Sequence, residues 1–180
     1  MKKINIEKKI LDCLKFCVSK DETRPQLSGF YYCPNNESVV TTNGHVLFMS
    51  KYFYNQNLKG MIVSPENLLT IDREFVRYEA VLPKIEKCKK GIIKLEKFHA
   101  QKGSEKITKL FFHKKSSGEF YISFEKNEGE FIGAFDNKLL KPLCDGSVYE
   151  FFYSGELNPF RFNIQENNEN NFMIVMPIKS

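Results

Sequence analysis

From Gly91 onward the sequence is cut into short runs whose bulky apolar residues fall at or near every second position, and that period points to antiparallel sheet. The runs are "GIIKLEKF", "KITKLFFH", "GEFYISFEK", "GEFIGAF", "SVYEFFYSG", "NPFRFNI" and "NFMIVMPIK", separated by Lys-, Ser- and Gly-rich turns. Phe120, Ile122 and Phe124 alternate in the third, which predicts a half-buried strand; in the sixth Phe160, Phe162 and Ile164 alternate with Arg161 and Asn163. The tract "QENNENN" before the last run reads as a loose polar hairpin loop. A chain with 17 Phe, 8 Tyr and no Trp suits packed sheets better than long polar helices.

The first half mixes periods. Ile6, Ile10, Cys13 or Leu14, and Cys17 recur at helical spacing, opposite Lys8, Asp12, Lys15 and Ser19. This predicts an amphipathic helix from about Glu7 to Lys20, with a short strand at Lys2 to Ile6 before it. "DETRP" ends the helix, because Arg24 precedes Pro25 and is pushed out of helical geometry. "LSGFYYCPN" and "ESVVTTNGHVLFMSK" read as strands, and Asn43-Gly44 either turns the chain or forms a bulge. Ser64 to Ile71, "SPENLLTI", predicts a short helix with Ser64 as cap and Pro65 in its first turn. "FVRYEAVLPK" reads as an extended connector ending at Pro83, and "DNKLLKPLCDG" as a short helix capped by Asp136 and stopped by Gly146. A strand-helix-strands pattern thus occurs over Lys2 to Lys51 and again over Gly129 to Ile178. The fold class is α+β with antiparallel sheets and one helix in each half. The expected organisation is a single domain of two half-repeats, about 1–84 and 85–180, with the strands of 85–126 left unplaced.

Little in the chain points to catalysis. His45, His99 and His113 lie in different segments without metal-ligand spacing, and neither a Gly-x-Ser-x-Gly element nor a phosphate-cradling Gly loop occurs. Asp21 and Glu22 sit together on a loop, where solvation is the simpler reading. The five cysteines form no C-x-x-C pair, so reduced thiols are expected, and neither a metal nor a cofactor is. Apolar runs fall short of the roughly 18 residues that span a bilayer. Charged residues interrupt the N-terminal segment, so no signal peptide or membrane contact is expected and the protein reads as cytoplasmic. The formal net charge of +5 makes nucleic acid a reasonable partner. Lys8, Lys9 and Lys15 on the first helix and Lys138 and Lys141 on the second, with Arg24, are the candidate contacts to double-stranded DNA. Such contacts neutralise phosphates without reading bases.

Three segments together resemble the bacterial DNA sliding clamp, the β subunit of DNA polymerase III. "SKDETRPQLSGFYY" followed by "TTNGHVLFMS" is similar to that family's Arg-rich loop, Leu-x-Gly strand and Thr-Asp-Gly-His-Arg-Leu. "FVRYEAVLP" resembles its Phe-Pro-x-Tyr-x-x-Val-Leu-Pro linker, and "NFMIVMPIKS" its terminal Val-Val-Met-Pro-Met-Arg-Leu. "GEFIGAFDNKLLKPL" looks like its last strand-helix unit. The resemblance implies a DNA-clamp-like fold and a non-enzymatic processivity factor that docks short linear motifs of polymerases and other replication factors. It also implies where they would dock: Thr42, Gly44, His45 and Leu47 from the first segment, Val76, Tyr78 and Val81 from the linker, and Ile174, Met176 and Pro177 from the end. His45 becomes a wall of that pocket and carries no chemistry. Asn43, Val46, Val76 and Ala80 depart from the family's Asp, Arg, Pro and Arg, which makes the expected pocket more apolar. A bacterial clamp protomer has three domains and about twice this length, so encircling DNA would require a homo-oligomer. Two alternatives remain: a clamp-fold decoy or regulator that binds peptides without encircling DNA, and a small DNA-processing enzyme.

Overall fold

The computed structural model describes residues 6–96, 109–125, 129–165 and 168–179. Its first element, α1 (Ile6–Phe16), buries Ile10, Cys13 and Leu14 and carries Glu7 in its first turn and Lys15 in its last, where each complements the helix dipole. The helix stops short of Lys20 because the backbone finds other partners: Ser19 N–H donates to the Leu27 carbonyl at 2.9 Å, and Asp21 N–H to Ser19 Oγ at 3.1 Å. Ile6 opens this helix, and the rest of the strand expected at Lys2 to Ile6 lies outside the described residues.

Strands β1 (Phe30–Cys33), β2 (Ser38–Thr42), β3 (Val46–Ser50), β4 (Ile62–Val63) and β5 (Thr70–Ile71) follow. Then come β6 (Lys89–Lys94), β7 (Lys109–Lys114), β8 (Phe120–Ser123) and β9 (Glu130–Asp136). Helix α2 (Asn137–Leu140) precedes β10 (Val148–Tyr153), β11 (Phe160–Gln165) and β12 (Asn168–Val175). As expected for a cap, the Asp136 carboxylate accepts from Lys138 N–H at 2.8 Å. Every described strand pairing is antiparallel. Nine strands form one sheet in the order β5-β4-β1-β2-β3-β12-β11-β10-β6, and β8-β7-β9 form a second. The seam at β3 and β12 joins the two halves of the chain, with Phe48 opposite Met173 and Leu47 opposite Ile174.

Alternation then sorts the large sheet's side chains. Val39, Val46, Phe48, Phe160, Phe162, Met173 and Val175 point to one face, where α1, Leu140 and the three-stranded sheet cover them. Phe112 of β7 meets Phe135, Phe151 and Phe160 edge-on, with centroids 5.0, 6.3 and 6.0 Å apart. Full burial of one such ring contributes about 3 kcal/mol from apolar area. Gly91 leaves room for the second sheet, because a Cβ there would fall 2.8 Å from the Phe120 ring of β8 as well as 2.5 Å from the ring of its own cross-strand partner Phe151. Val40, Leu47, Met49, Phe172 and Ile174 point to the opposite face, which packs under Leu27, Phe75 and Tyr78. Arg161 and Asn163 share that second face and are nevertheless buried. The Arg161 guanidinium lies 3.9 Å from the Phe172 ring centroid and its Nε donates to Asn163 Oδ1 at 3.0 Å, while Asn163 Nδ2 donates to Glu150 at 2.7 Å.

Three sequence expectations are corrected. Ser64 to Ile71 is not a helix. Ser64 Oγ does cap, accepting from Glu66 N–H at 3.3 Å, and the Leu68 amide closes one helical turn on the Ser64 carbonyl at 3.0 Å. Leu68 then adopts a left-handed backbone (φ 59°) and the chain returns as β5, Ile62 facing Ile71. Leu68 and Leu69 find no surface to bury against, so helix propagation has nothing to reward it. The connector Phe75 to Lys84 is not wholly extended: Tyr78–Val81 forms a 3-10 turn. Of the loop expected over Gln165 to Asn171, Gln165 and Asn168 to Asn171 are strand, because the β11–β12 ladder pairs Gln165 with Asn168 and the buried Asn171 side chain accepts from Ser50 Oγ at 2.6 Å; 166–167 lie outside the described residues.

Candidate functional site

Register brings the first wall of the site together. Thr42 faces Leu47 across β2 and β3, and Leu47 faces Ile174 across β3 and β12, so three adjacent strands present these side chains to one face. Between Thr42 and Val46 the chain turns, settling the alternative left open at Asn43-Gly44. Asn43 Oδ1 accepts from the amides of His45 and Val46 at 3.0 and 3.1 Å. Thr42 Oγ1 accepts from Gly44 N–H at 3.1 Å and donates to the Val46 carbonyl at 2.7 Å. Gly44 holds φ 92°, a conformation that costs a side-chain-bearing residue about 1–2 kcal/mol.

The linker supplies the second wall. Phe75 stacks on Tyr31 with centroids 4.6 Å apart, and Tyr78 sits buried beside it. The Tyr78 hydroxyl donates to Cys33 Sγ and accepts from Asn36 Nδ2, both at 3.1 Å. Burial, with the Cys33 contact, raises this phenol well above its ordinary pKa, so it stays neutral. With two aromatics anchored, Val76 and Val81 remain over a third exposed and border the concavity. The C-terminal segment closes the third side: Met176 N–H donates to the His45 carbonyl at 3.0 Å, and Ile178 N–H to the Ala134 carbonyl at 2.8 Å.

The result is a cavity of about 310 Å³. Thr42, Gly44, His45, Leu47, Val76, Tyr78, Val81, Ile174 and Met176 line it, which brings together all the residues expected there except Pro177. Pro177 lies between the two pinned residues and outside the lining. Sequence reasoning missed Gln26, Leu27 and Arg77 as lining residues and had Val46 only as a departure that makes the pocket more apolar. Leu27 was legible in the Leu-x-Gly pattern, whereas nothing in the sequence singles out Arg77. Arg24, expected to contact DNA, borders this cavity instead, held to Asp21 by an Nε–Oδ2 ion pair of 2.8 Å.

The other candidate DNA contacts divide. Lys8, Lys15, Lys138 and Lys141 are exposed. Lys9 is withdrawn from solvent, which corrects its assignment to a phosphate-facing surface: its ammonium pairs with Asp145 at 2.5 Å and donates to the Tyr149 hydroxyl. Of the three histidines, His45 is exposed at the cavity, His113 is buried in β7, and His99 lies outside the described residues. Among the described residues no group of three or more His, Cys, Asp or Glu could hold a metal ion, and no helix is long and apolar enough to cross a membrane.

No protein-family model and no curated protein sequence matches the chain. Solved structures do. A β sliding clamp from Caulobacter crescentus, with polyethylene glycol in a region described as tethering β-motifs, superposes with a TM-score of 0.70 at 17% identity. It covers 98% of this chain and 64% of that one. The clamp from Bartonella birtlesii bound to griselimycin gives 0.68 at 15% identity, with 98% and 65% covered. The β subunit of DNA polymerase III from Thermotoga maritima gives 0.63 at 16%, with 98% and 64% covered. The chain has the bacterial sliding-clamp fold, and it spans a little under two thirds of the length of these clamps.

Proposed function

We propose that this chain, which has the sliding-clamp fold, is a non-enzymatic tethering protein that docks short peptide motifs of replication factors in the cavity between its linker, its Asn43-Gly44 turn and its C-terminal segment. The observation that supports this reading is convergence. Three stretches far apart in sequence meet around one mostly apolar concavity, on a fold whose solved relatives include a clamp with a molecule bound in its β-motif tethering region. Leu47, Val81, Ile174 and Met176 would receive Leu or Phe anchors, and the flexible Met176 lets the floor adapt. The two half-repeats, 1–84 and 85–180, act in this reading as one unit.

The test is peptide binding to the full chain by fluorescence anisotropy, using a short peptide with Leu and Phe anchors. Met176→Ala and Val81→Asp should weaken binding about tenfold or more, and affinities unchanged by both would refute the pocket.

The DNA half of the proposal is that exposed Lys8, Lys15, Lys138 and Lys141 contact backbone phosphates inside a ring closed by several copies. Light scattering should then report an oligomer, and the protein should be retained on circular DNA and lost on linearisation. The runner-up, a clamp-fold peptide-binding regulator that does not encircle DNA, is favoured by one feature: Lys9 spends its charge inside the protein, which thins the basic face of α1. A monomer that binds peptide but not circular DNA would select that reading.

A further inference from the structure

We propose that the cavity selects apolar peptides that also carry a carboxylate, and that Arg77 is the residue that reads it; the inference rests on the docking reading above and refines it. Arg77 stands between Phe75 and Tyr78, the two buried aromatics that hold the linker to the sheet. Their packing fixes the backbone on both sides of Arg77 and leaves its side chain exposed. The pinned backbone removes part of the ordering cost when an anion arrives, leaving the rotamers of the exposed side chain to be fixed.

The charge around the cavity is one-sided. Its lining contains two arginines, Arg24 and Arg77, and no Asp or Glu. Arg24 is engaged by Asp21 at 2.8 Å. Arg77 forms no ion pair with any described residue. A second, more polar concavity of about 240 Å³ also borders Arg77, but there Glu74 and Glu79 accompany Arg73 and offset its charge. Carboxylates therefore border Arg77 on the polar side, and none lines the apolar side. Next to a low-dielectric floor of Leu47, Ile174 and Val81, an arginine–carboxylate pair gains more than it would in open water, and the guanidinium fork matches a carboxylate in two parallel hydrogen bonds. An acidic residue flanking two apolar anchors satisfies all of these groups, whereas a basic flank would meet Arg24 and Arg77 together.

Two synthetic peptides with the same Leu and Phe anchors, differing only in Asp against Asn beside them, test this with the full chain. The Asp peptide should bind more tightly, and its affinity should fall as salt rises while that of the Asn peptide stays nearly constant. Arg77→Gln should weaken the Asp peptide about fivefold and Arg77→Glu should weaken it further, each by a larger factor than the Asn peptide loses. Equal affinity for the two peptides, equal losses in the variants, or an Asp preference that survives Arg77→Glu would each overturn the proposal while leaving docking intact. If neither peptide binds the wild-type chain, the docking reading and this one fall together.

Discussion

Lys9 on α1 and Asp145 beyond α2, 136 residues apart in sequence, meet in an ion pair of 2.5 Å. The Tyr149 hydroxyl completes the cluster, accepting from Lys9 and donating to Asp145 Oδ1 at 3.0 Å, and the Lys9 ammonium also lies 4.6 Å from the centroid of its ring. The bond ties the helix of the first half to the helical turn of the second.

Acid should loosen this tie. Burial pushes the Asp145 carboxyl up, but the hydrogen bond from Lys9, then those from Ser147 and the charge of Lys9, outweigh it and hold the group below its ordinary value. A depressed folded-state pKa contributes stability above the unfolded value of about 4 and loses it as pH falls through the folded value. Asp145→Asn leaves Lys9 withdrawn from water without its counter-ion and should cost about 2 kcal/mol near pH 7. Denaturant titrations from pH 7 to pH 2 should show the variant's stability falling less steeply in acid than the parent's. Parallel curves would contradict this.

Gly91 lies between the ring of its cross-strand partner Phe151 in the large sheet and the ring of Phe120 in the small one. Gly91→Ala should destabilise the fold by about 2 kcal/mol, since the new methyl would meet the Phe151 ring at 2.5 Å and Phe120 at 2.8 Å in a filled core. Thermal unfolding followed by circular dichroism reads this directly, and an unchanged midpoint would show that the rings can move aside.

Leu68 carries a left-handed backbone and an exposed side chain at the tip of the β4–β5 hairpin. Leu68→Gly should stabilise the protein by about 0.5 kcal/mol, the relief of backbone strain exceeding the extra entropy glycine loses on folding. Leu68→Val, which keeps the strain and adds branching, should destabilise it. Midpoints in urea for the pair should move in opposite directions.

The cysteines should separate by burial. Desolvation pushes the Cys13 thiol up to about 12, and the buried Cys17 is also raised, so neither offers thiolate at neutral pH. Cys88 is only partly covered. Mass spectrometry after brief alkylation of the native protein should find Cys88 modified first and Cys13 and Cys17 only after denaturation.

How much of this was legible in the sequence depends on the range of the interaction. The cap at Asp136, the strands carrying Phe160 and Phe162, and the amphipathic stripe of α1 were readable because each is set by neighbours a few residues away. At Ser64 the local signals were correct as far as they reached, since a capped turn forms. It does not propagate because Leu68 and Leu69 have nothing to pack against, which is a fact of the whole surface. Arg161 and Asn163 alternate with the apolar residues of their strand, and they are buried because the Phe172 ring and Glu150 meet them across β12 and β10.

Alone, the sequence determined the antiparallel α+β character and named most of the residues that line the cavity, since periodicity and motif order are written in the chain, whereas the choice between turn and bulge at Asn43-Gly44 was left to the structure. Tertiary structure decided which cations face solvent and which are consumed inside, that Arg77 joins the cavity, and that Pro177 stays out of it. The reason is that charge compensation and enclosure depend on distances between segments that only the pairing of β3 with β12 and the packing of the linker bring together.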